Sequence, residues 1–324
     1  MSSSLHRFRG QVPKVAIVIV NWNGYDDTVE CLDSLLNLEY SNYFVVVVDN
    51  GSSDDSERKL RDKYPQHIML QAQSNRGFAA GSNIGIRRAL EEESDFVLLL
   101  NNDCRVEPML LMNLIHTCES HPKTGMVGGR VDYASRPNKI WACGGAFNVN
   151  TGQAKHFLSE KEFKEFVPKD AWYTYMPACL LLIKRACIED IGFLSERFFH
   201  LAEDVEYCLR AERSGWVVDL ASNASVLHKG SSSLARFSPL YNYYEQRNRL
   251  FVIRQYRIRT KSHRLMTDPL IIFTRVALTL ITIDRWTHLP QGARFLCLAL
   301  FDFLRGRDGK HENHPGDHTI PAVS

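Results

Sequence analysis

The chain lacks every short-range signature of a covalently or metal-stapled scaffold. Its eight cysteines (31, 104, 118, 143, 179, 187, 208 and 297) form no CxxC pair and no Cys/His cluster at zinc spacing. They are better read as small apolar residues of a reduced, cytosolic chain. Net charge is only +2, which gives no polyanion-binding field and excludes nucleic acid as an expected partner. Gly77, Gly81 and Gly85 are spaced differently from the GxGxxG fingerprint of dinucleotide-binding folds. The N-terminal MSSSLHRFRGQVPK lacks the apolar core of a signal peptide. Internal repeats and low-complexity tracts are also missing. No apolar run attains the ~18–20 uninterrupted residues of a spanning helix. Arg275 breaks PLIIFTRVALTLITI (269–283), and FLCLALFDFL (295–304) is short. Arginines at 275, 285, 294, 305 and 307 punctuate these two runs, as in helices lying on an anionic membrane surface. The same pattern also suits amphipathic helices that close a core or a dimer interface.

What the chain does have is a series of short, unbroken apolar runs alternating with helical patterns. KVAIVIV (14–20), YFVVVV (43–48), HIMLQ (67–71) and DFVLLLN (95–101) read as strands covered on both faces. Helices are predicted over 26–38, from Ser53 or Asp54 to about Tyr64, after Asn75, and over 107–120, with Glu107-Pro108 in the first turn. This alternation predicts an α/β fold with right-handed βαβ units and a mostly parallel central sheet. After Gly125 the pattern loosens through a polar stretch to about Asp170. MPACLLLIKR (176–185) and WVVDL (216–220) read as further strands, with a helix from Asp204 to Ser214 stopped by Gly215.

Two acidic signals about a hundred residues apart carry the chemistry. Asn101-Asn102-Asp103 follows a buried strand, and a carboxylate there points into the crevice where open α/β sheets bind ligands. Asp103 suits a divalent cation on a nucleoside diphosphate, because phosphates and waters complete the shell around one or two protein carboxylates. The preceding strand favours that role over the alternative, a loop aspartate capping the helix over 107–120. Asp204, beside Glu203 and after Phe198-Phe199-His200, suits a general base, with Glu203 holding an acceptor hydroxyl or orienting Asp204. The competing role of Asp204 is a helix N-terminal acid, whose pKa the macrodipole would lower. Asp49, closing VVVVD, can take a base or ribose, or simply cap the Asp-Asn-Gly-Ser turn. Trp22 can stack on a nucleobase or pack. Arg76 beside Gly77, and Arg247 in YNYYEQRNR, can reach a phosphate or stay solvated. His228, in VLHKGSSS with Lys229, is a candidate third ligand for metal or diphosphate. The pair of signals points to metal-assisted group transfer from a nucleotide donor.

VIVNWNG (18–24), VVDNGSSD (47–54), NRGFAAGSNIGI (75–86), LLNND (99–103), MPACLLLIKR (176–185) and EDVEYCLRAERSGW (203–216) occur in that order. Together they resemble glycosyltransferase family 2, with its GT-A (Rossmann-like) fold, and especially its rhamnosyltransferase-like bacterial members, over about residues 14–255. The resemblance implies inverting sugar transfer from a dTDP- or UDP-sugar with Mg²⁺ or Mn²⁺. It implies Trp22, Asp49, Asn50 and Asn102 at the donor, Asp103 at the cation and Asp204 as base. The segment from His228 to Arg247 would close over the diphosphate. Only one carboxylate stands in Asn-Asn-Asp, so weak or transient metal binding is implied. The acceptor would be a glycan or a polyprenyl-diphosphate-linked sugar of O-antigen-like polysaccharide assembly, on the inner face of the cytoplasmic membrane. The implied organisation is a flexible N-terminus (1–13), a catalytic domain (14–235), a helical C-terminal region (236–308) and a disordered tail (309–324). The rival enzyme class, a nucleotidyltransferase, usually carries a glycine-rich basic loop after the first strand, where this chain has NWNGYDD. A catalytically inactive, sugar-nucleotide-binding scaffold is the non-enzymatic alternative.

Overall fold

A computed structural model describes residues 12–167, 171–230, 238–257 and 289–311. The apolar run 269–283, most of the N-terminus and tail, and part of the segment after His228 lie outside these residues.

Four unbroken apolar runs become adjacent strands: β1 (Val15–Asn21), β2 (Tyr43–Asp49), β3 (Ile68–Gln71) and β4 (Phe96–Asn101), in the order β3-β2-β1-β4 and all parallel. The crossovers are α1 (Tyr25–Leu35), α2 (Ser56–Lys63) and α3 (Phe78–Glu91). Each helix carries the chain back to the starting edge of the sheet, which makes the strands parallel. Ala16, Val18, Val46, Val48, Val97 and Leu99 face α3 in one core cluster. Val15, Ile17, Ile19, Val45, Val47, Leu98 and Leu100 face α1 and α2 in the other. Successive residues point to opposite faces and both faces are covered, so the runs show no polar alternation.

Beyond β4 the sheet is mixed. A tight turn leads to β5 (Cys104–Val106) and α4 (Leu110–Glu119), then to β6 (Thr124–Tyr133), β7 (Arg136–Ala142), β8 (Gly145–Asn148) and β9 (Ala154–His156). After α5 (Glu160–Glu165) come β10 (Trp172–Tyr175), β11 (Leu180–Lys184), α6 (Arg185–Ile191), α7 (Glu203–Arg213) and β12 (Val217–His228). The order continues β4-β11-β6-β12-β5, with β11 antiparallel to both neighbours and β12 parallel to β6. The parallel expectation thus holds for the first four strands. It gives way where β11 inserts in reverse between β4 and β6. β10, β8 and β9 form a separate small antiparallel sheet in the stretch that reads as loose and polar.

Two helices complete the described fold. α8 (Pro239–Tyr256) starts on a Ser238 side-chain cap, with proline in its first turn. It drives Leu250, Phe251 and Val252 into the cluster that holds Val18 and Leu99. α9 (Leu289–Leu304) lays Leu296, Ala299 and Phe303 against the protein and leaves Phe301 and Leu304 exposed. Seven of the eight free cysteines are buried, consistent with their reading as small apolar residues. Among the described residues no helix is long and apolar enough to cross a membrane.

Candidate active site

Parallel β1, β2 and β4 present their carboxyl ends at one sheet edge. The amino end of reversed β11 and the carboxyl end of β12 meet them there. Asp49 closes β2 in register with Asn21 of β1 and is fully buried. Its carboxylate accepts from Asn21 Nδ2 (2.9 Å), the Ser52 amide (3.0 Å) and the Ser52 hydroxyl (2.6 Å). Asn21 Oδ1 in turn accepts from the Thr28 hydroxyl (2.9 Å), which accepts from Asn102 Nδ2 (3.0 Å). A continuous polar chain therefore runs from Asp49 to the residue before Asp103. An open cleft of about 320 Å³ lies at the turn after β2 and the end of β3, lined by Gly51, Ser52, Gln71, Ala72 and Gln73. Trp22 is half-buried on the loop after β1.

Asn50 ties this edge to the next loop, donating to Asn75 Oδ1 (3.2 Å) and the Gly77 carbonyl (3.1 Å). Gly77 has φ +87°, and a Cβ there would overlap the Phe199 backbone. Only glycine permits both. Further along α3, a side chain on Gly85 would collide with Val18, so this glycine serves helix–sheet packing. Arg76 is exposed and pairs with Glu196 at 2.8 Å. Such a surface pair contributes about 0–1 kcal/mol.

Asp103 is 7% exposed, and its Oδ1 lies 3.0 Å from His228 Nε2. The two meet because His228 pairs with Cys104 across the β12–β5 ladder. The ligand atoms of Asp103, Cys104 and His228 all lie within 4.8 Å of one another. Asp103 supplies the hard oxygen donor that Mg²⁺ or Mn²⁺ prefers. The Cys104 thiol is pushed well above its ordinary pKa by burial and suits these ions poorly. Burial pulls the His228 pKa down most strongly, but the Asp103 hydrogen bond and charge hold it up to about 9. To act as a ligand, His228 must give up its proton. Its ring also meets Trp141 edge-on, centroids 5.3 Å apart, so the middle stretch of the chain does reach this edge.

Asp204 is half-buried near the start of α7. Its Oδ2 accepts from the Ala178 amide (3.3 Å) and its Oδ1 from the Val205 amide (2.7 Å). Ala178 precedes Cys179, whose carbonyl accepts from the Asn101 amide at 3.1 Å. Asp49, Asp103 and Asp204 are thus linked through one sheet edge. Burial raises the pKa of Asp204 despite the backbone amides that oppose it, the reverse of the lowering expected from helix position alone. Glu203 is 8% exposed, and burial followed by the Asp204 charge pushes it up to about 8. The two carboxyls thus titrate as a pair, each held above its ordinary value first by burial.

Arg247 requires a correction. It is neither at the diphosphate nor solvated: it is 1% exposed and donates to Asn248 Oδ1 (3.1 Å), the Tyr243 hydroxyl (3.0 Å) and the Gly309 carbonyl (2.7 Å). Buried among these partners, its guanidinium carbon lies 5.0 Å from the Tyr243 ring centroid and 5.1 Å from that of Tyr244. Sequence reasoning also missed Asn21, Thr28 and Ser52: Asn21 ends a buried run and Ser52 lies in the turn after the next, whereas Thr28 lies inside α1 and carries no such signal.

The description "Glycosyl transferase family 2" matches residues 16–191. A dTDP-rhamnosyl transferase, RfbF, of Shigella flexneri is 24% identical over 298 residues, 88% of this chain and 94% of that protein. An N-acetylglucosaminyl-diphospho-decaprenol L-rhamnosyltransferase of Mycobacterium tuberculosis is 23% identical, over 59% of this chain and 68% of its own length. The solved mannosyltransferase of Pyrobaculum calidifontis, in complex with GDP-Man and Mn²⁺, superposes with a TM-score of 0.59 at 14% identity, covering 92% of this chain and 89% of that one. The fold is GT-A. With the family matched over more than half its length, this chain is a member of glycosyltransferase family 2 and a sugar transferase.

Proposed function

We propose that the enzyme transfers rhamnose, with inversion, from a dTDP- or UDP-linked donor to a hydroxyl of a glycan or polyprenyl-diphosphate-linked acceptor in surface-polysaccharide assembly. The observation that carries this reading is the convergence of Asp49, Asp103 and Asp204 on one sheet edge, with the last raised by burial. Asp49, Asn50 and Trp22 take the nucleoside beside the open cleft, and Arg76 exchanges Glu196 for a phosphate. Asp103, with His228 once deprotonated, would hold Mg²⁺ or Mn²⁺, which supplies charge neutralisation for the diphosphate. Asp204 accepts the acceptor hydroxyl's proton as that oxygen bonds to the anomeric carbon. The bond from that carbon to the diphosphate oxygen breaks, and the diphosphate leaves with the electron pair. A single displacement inverts the centre. Glu203 holds the acceptor hydroxyl or orients Asp204. The rhamnosyl donor is supported by the two relatives' names, and a single carboxylate in Asn-Asn-Asp supports weak cation binding.

Thermal shift with dTDP-rhamnose, UDP-sugars and GDP-mannose, each with and without Mn²⁺, tests the donor. A true donor at a hundredfold excess over its Kd stabilises by about 2.7 kcal/mol. Release of nucleoside diphosphate then supports transfer, whereas release of pyrophosphate points to the nucleotidyltransferase class. A flat response to every dTDP- and UDP-sugar overturns the reading.

We further propose that the C-terminal helical region rests on the inner membrane surface. The outward Phe301 and Leu304, with Arg305 over the Phe301 ring at 4.0 Å, support an interfacial face. The full chain is expected to co-sediment with phosphatidylglycerol vesicles and not with phosphatidylcholine vesicles. Absence of binding to either refutes peripheral association.

A further inference from the structure

The acidic pair hangs on a corner that L-residues rarely adopt. Leu201 (φ 68°) and Ala202 (φ 71°) are both left-handed, immediately before Glu203. Neither is glycine, so the surrounding structure must hold the conformation. Two carbonyls of the corner, those of His200 and Leu201, accept 2.8 Å hydrogen bonds from one atom, Nδ2 of Asn248. Asn248 sits on α8 and is fully buried. Its Oδ1 accepts from Arg247 Nε at 3.1 Å, which sets the amide so that its NH₂ faces the corner. Arg247 is anchored by Tyr243 and by the Gly309 carbonyl, and the Tyr243 hydroxyl donates to Asp302 at 2.7 Å. The segment leading into the corner is also held from the start of α3, where the Phe78 amide donates to the Phe199 carbonyl at 3.2 Å.

We infer that Asn248 is a positioning residue for sugar transfer. It holds the Leu201–Ala202 corner so that Asp204 starts α7 in reach of the Ala178 amide and faces the acceptor. Through Arg247, the segment around Asp302 and Gly309 takes part in this placement. Only a primary amide meets all three demands: two N–H donors on one atom for two carbonyls, and an oxygen for the guanidinium. Aspartate would turn an oxygen on the two carbonyls, and alanine would leave both without their partner. The inference rests on Asp204 as the base, and it explains why a buried Arg-Asn pair sits far along the chain from the chemistry.

The test compares full-length Asn248→Ala, Leu250→Ala and Asp204→Asn with wild type. Leu250 lies on the same helix, 5% exposed, and its truncation weakens packing while leaving both hydrogen bonds from Asn248 to the corner in place. Hydrogen exchange over residues 200–206 reads the corner directly. Turnover uses the sugar nucleotide that the donor panel selects, and binding uses dTDP or UDP with Mn²⁺. Asn248→Ala is expected to lower kcat by about 10- to 100-fold, to speed exchange over 200–206, and to leave nucleoside diphosphate affinity within about twofold. Adding Ala202→Gly restores part of kcat, because glycine takes positive φ without penalty. Leu250→Ala lowers Tm at least as much yet leaves kcat and corner exchange as in wild type. Loss of kcat in proportion to Tm in both variants, or unchanged exchange in Asn248→Ala, overturns the inference. If Asp204→Asn turns over normally, the base assignment fails instead. If Asp204→Asn is inactive while Asn248→Ala is normal, the positioning role alone fails.

Discussion

Asp204→Asn is expected to lower transfer by about 10²- to 10⁴-fold, the range a positioned general base supplies, while leaving nucleoside diphosphate binding within about twofold. The two effects separate because the groups proposed for the donor belong to β1, β2 and the loop at Gly77, whereas Asp204 is held by the Ala178 and Val205 amides. A kcat loss without a change in donor affinity marks an interaction made only in the transition state. Equal loss of both would show that the residue organises the donor pocket and is no base. The pH behaviour gives a second arm. If Asp204 is the base, the burial that raises its pKa moves the acidic limb of kcat/KM upward from the ordinary aspartate position. The same burial has a stability cost. Glu203 binds its proton more tightly folded than unfolded, so wild-type stability declines as pH rises from the ordinary 4.5 through about 8. Asp204→Asn removes one half-buried charge and the repulsion on Glu203. Its Tm should therefore exceed that of wild type most above pH 8, with the difference fading below the ordinary aspartate value of 3.8. A Tm difference that grows towards acid pH would contradict the burial argument.

The first half of the fold was legible because its strands are covered on both faces. In β1 the residues Ala16 and Val18 serve one core, while Val15, Ile17 and Ile19 serve the other, leaving an apolar run with no polar member. The stretch after Gly125 was misread for a physical reason. MVGGRV looks like a loosening of structure, yet it lies within β6, the centre of the second half of the sheet. Its glycines are there for contact: a Cβ on Gly128 would strike Met176, and one on Gly129 the Ala224 carbonyl. Helix starts drifted by a few residues where caps were ambiguous. The Ser56 amide does bond to Asp54 Oδ1 at 3.0 Å, but α2 begins later than that cap suggests. Asp103 and Asp204 were readable as acids at strand and helix ends. Their environments were not, because the groups that tune them are distant in sequence: His228 for Asp103 and Ala178 for Asp204. Arg247 is the extreme case, since Gly309, 62 residues later, takes one of its N–H groups.

Asp103→Ala is expected to abolish the Mn²⁺ dependence of donor binding, with a loss of cation affinity beyond the roughly 10- to 100-fold typical of removing an outer-shell group. No neighbouring carboxylate stands ready to replace it in Asn101-Asn102-Asp103. Asn102 Nδ2 is committed to the Thr28 hydroxyl, and Asn101 Nδ2 lies 3.5 Å from His228 Nε2. The substitution also releases His228. Without Asp103, the burial that opposes the imidazolium prevails, and the ring's pKa falls from about 9. A histidine raised in the folded state contributes stability that is fully present below its ordinary value of 6.5 and is lost as pH rises through about 9. Asp103→Ala should therefore be destabilised relative to wild type at pH 6 and approach it above pH 9. Isothermal titration of dTDP or UDP, with Mn²⁺ and with EDTA, separates the two consequences. Wild type binds more tightly with the ion, and the variant binds equally under both conditions. If the variant keeps the wild-type response to Mn²⁺, the cation sits elsewhere, and the Asp103–His228 pair is only a clamp between β12 and the turn after β4.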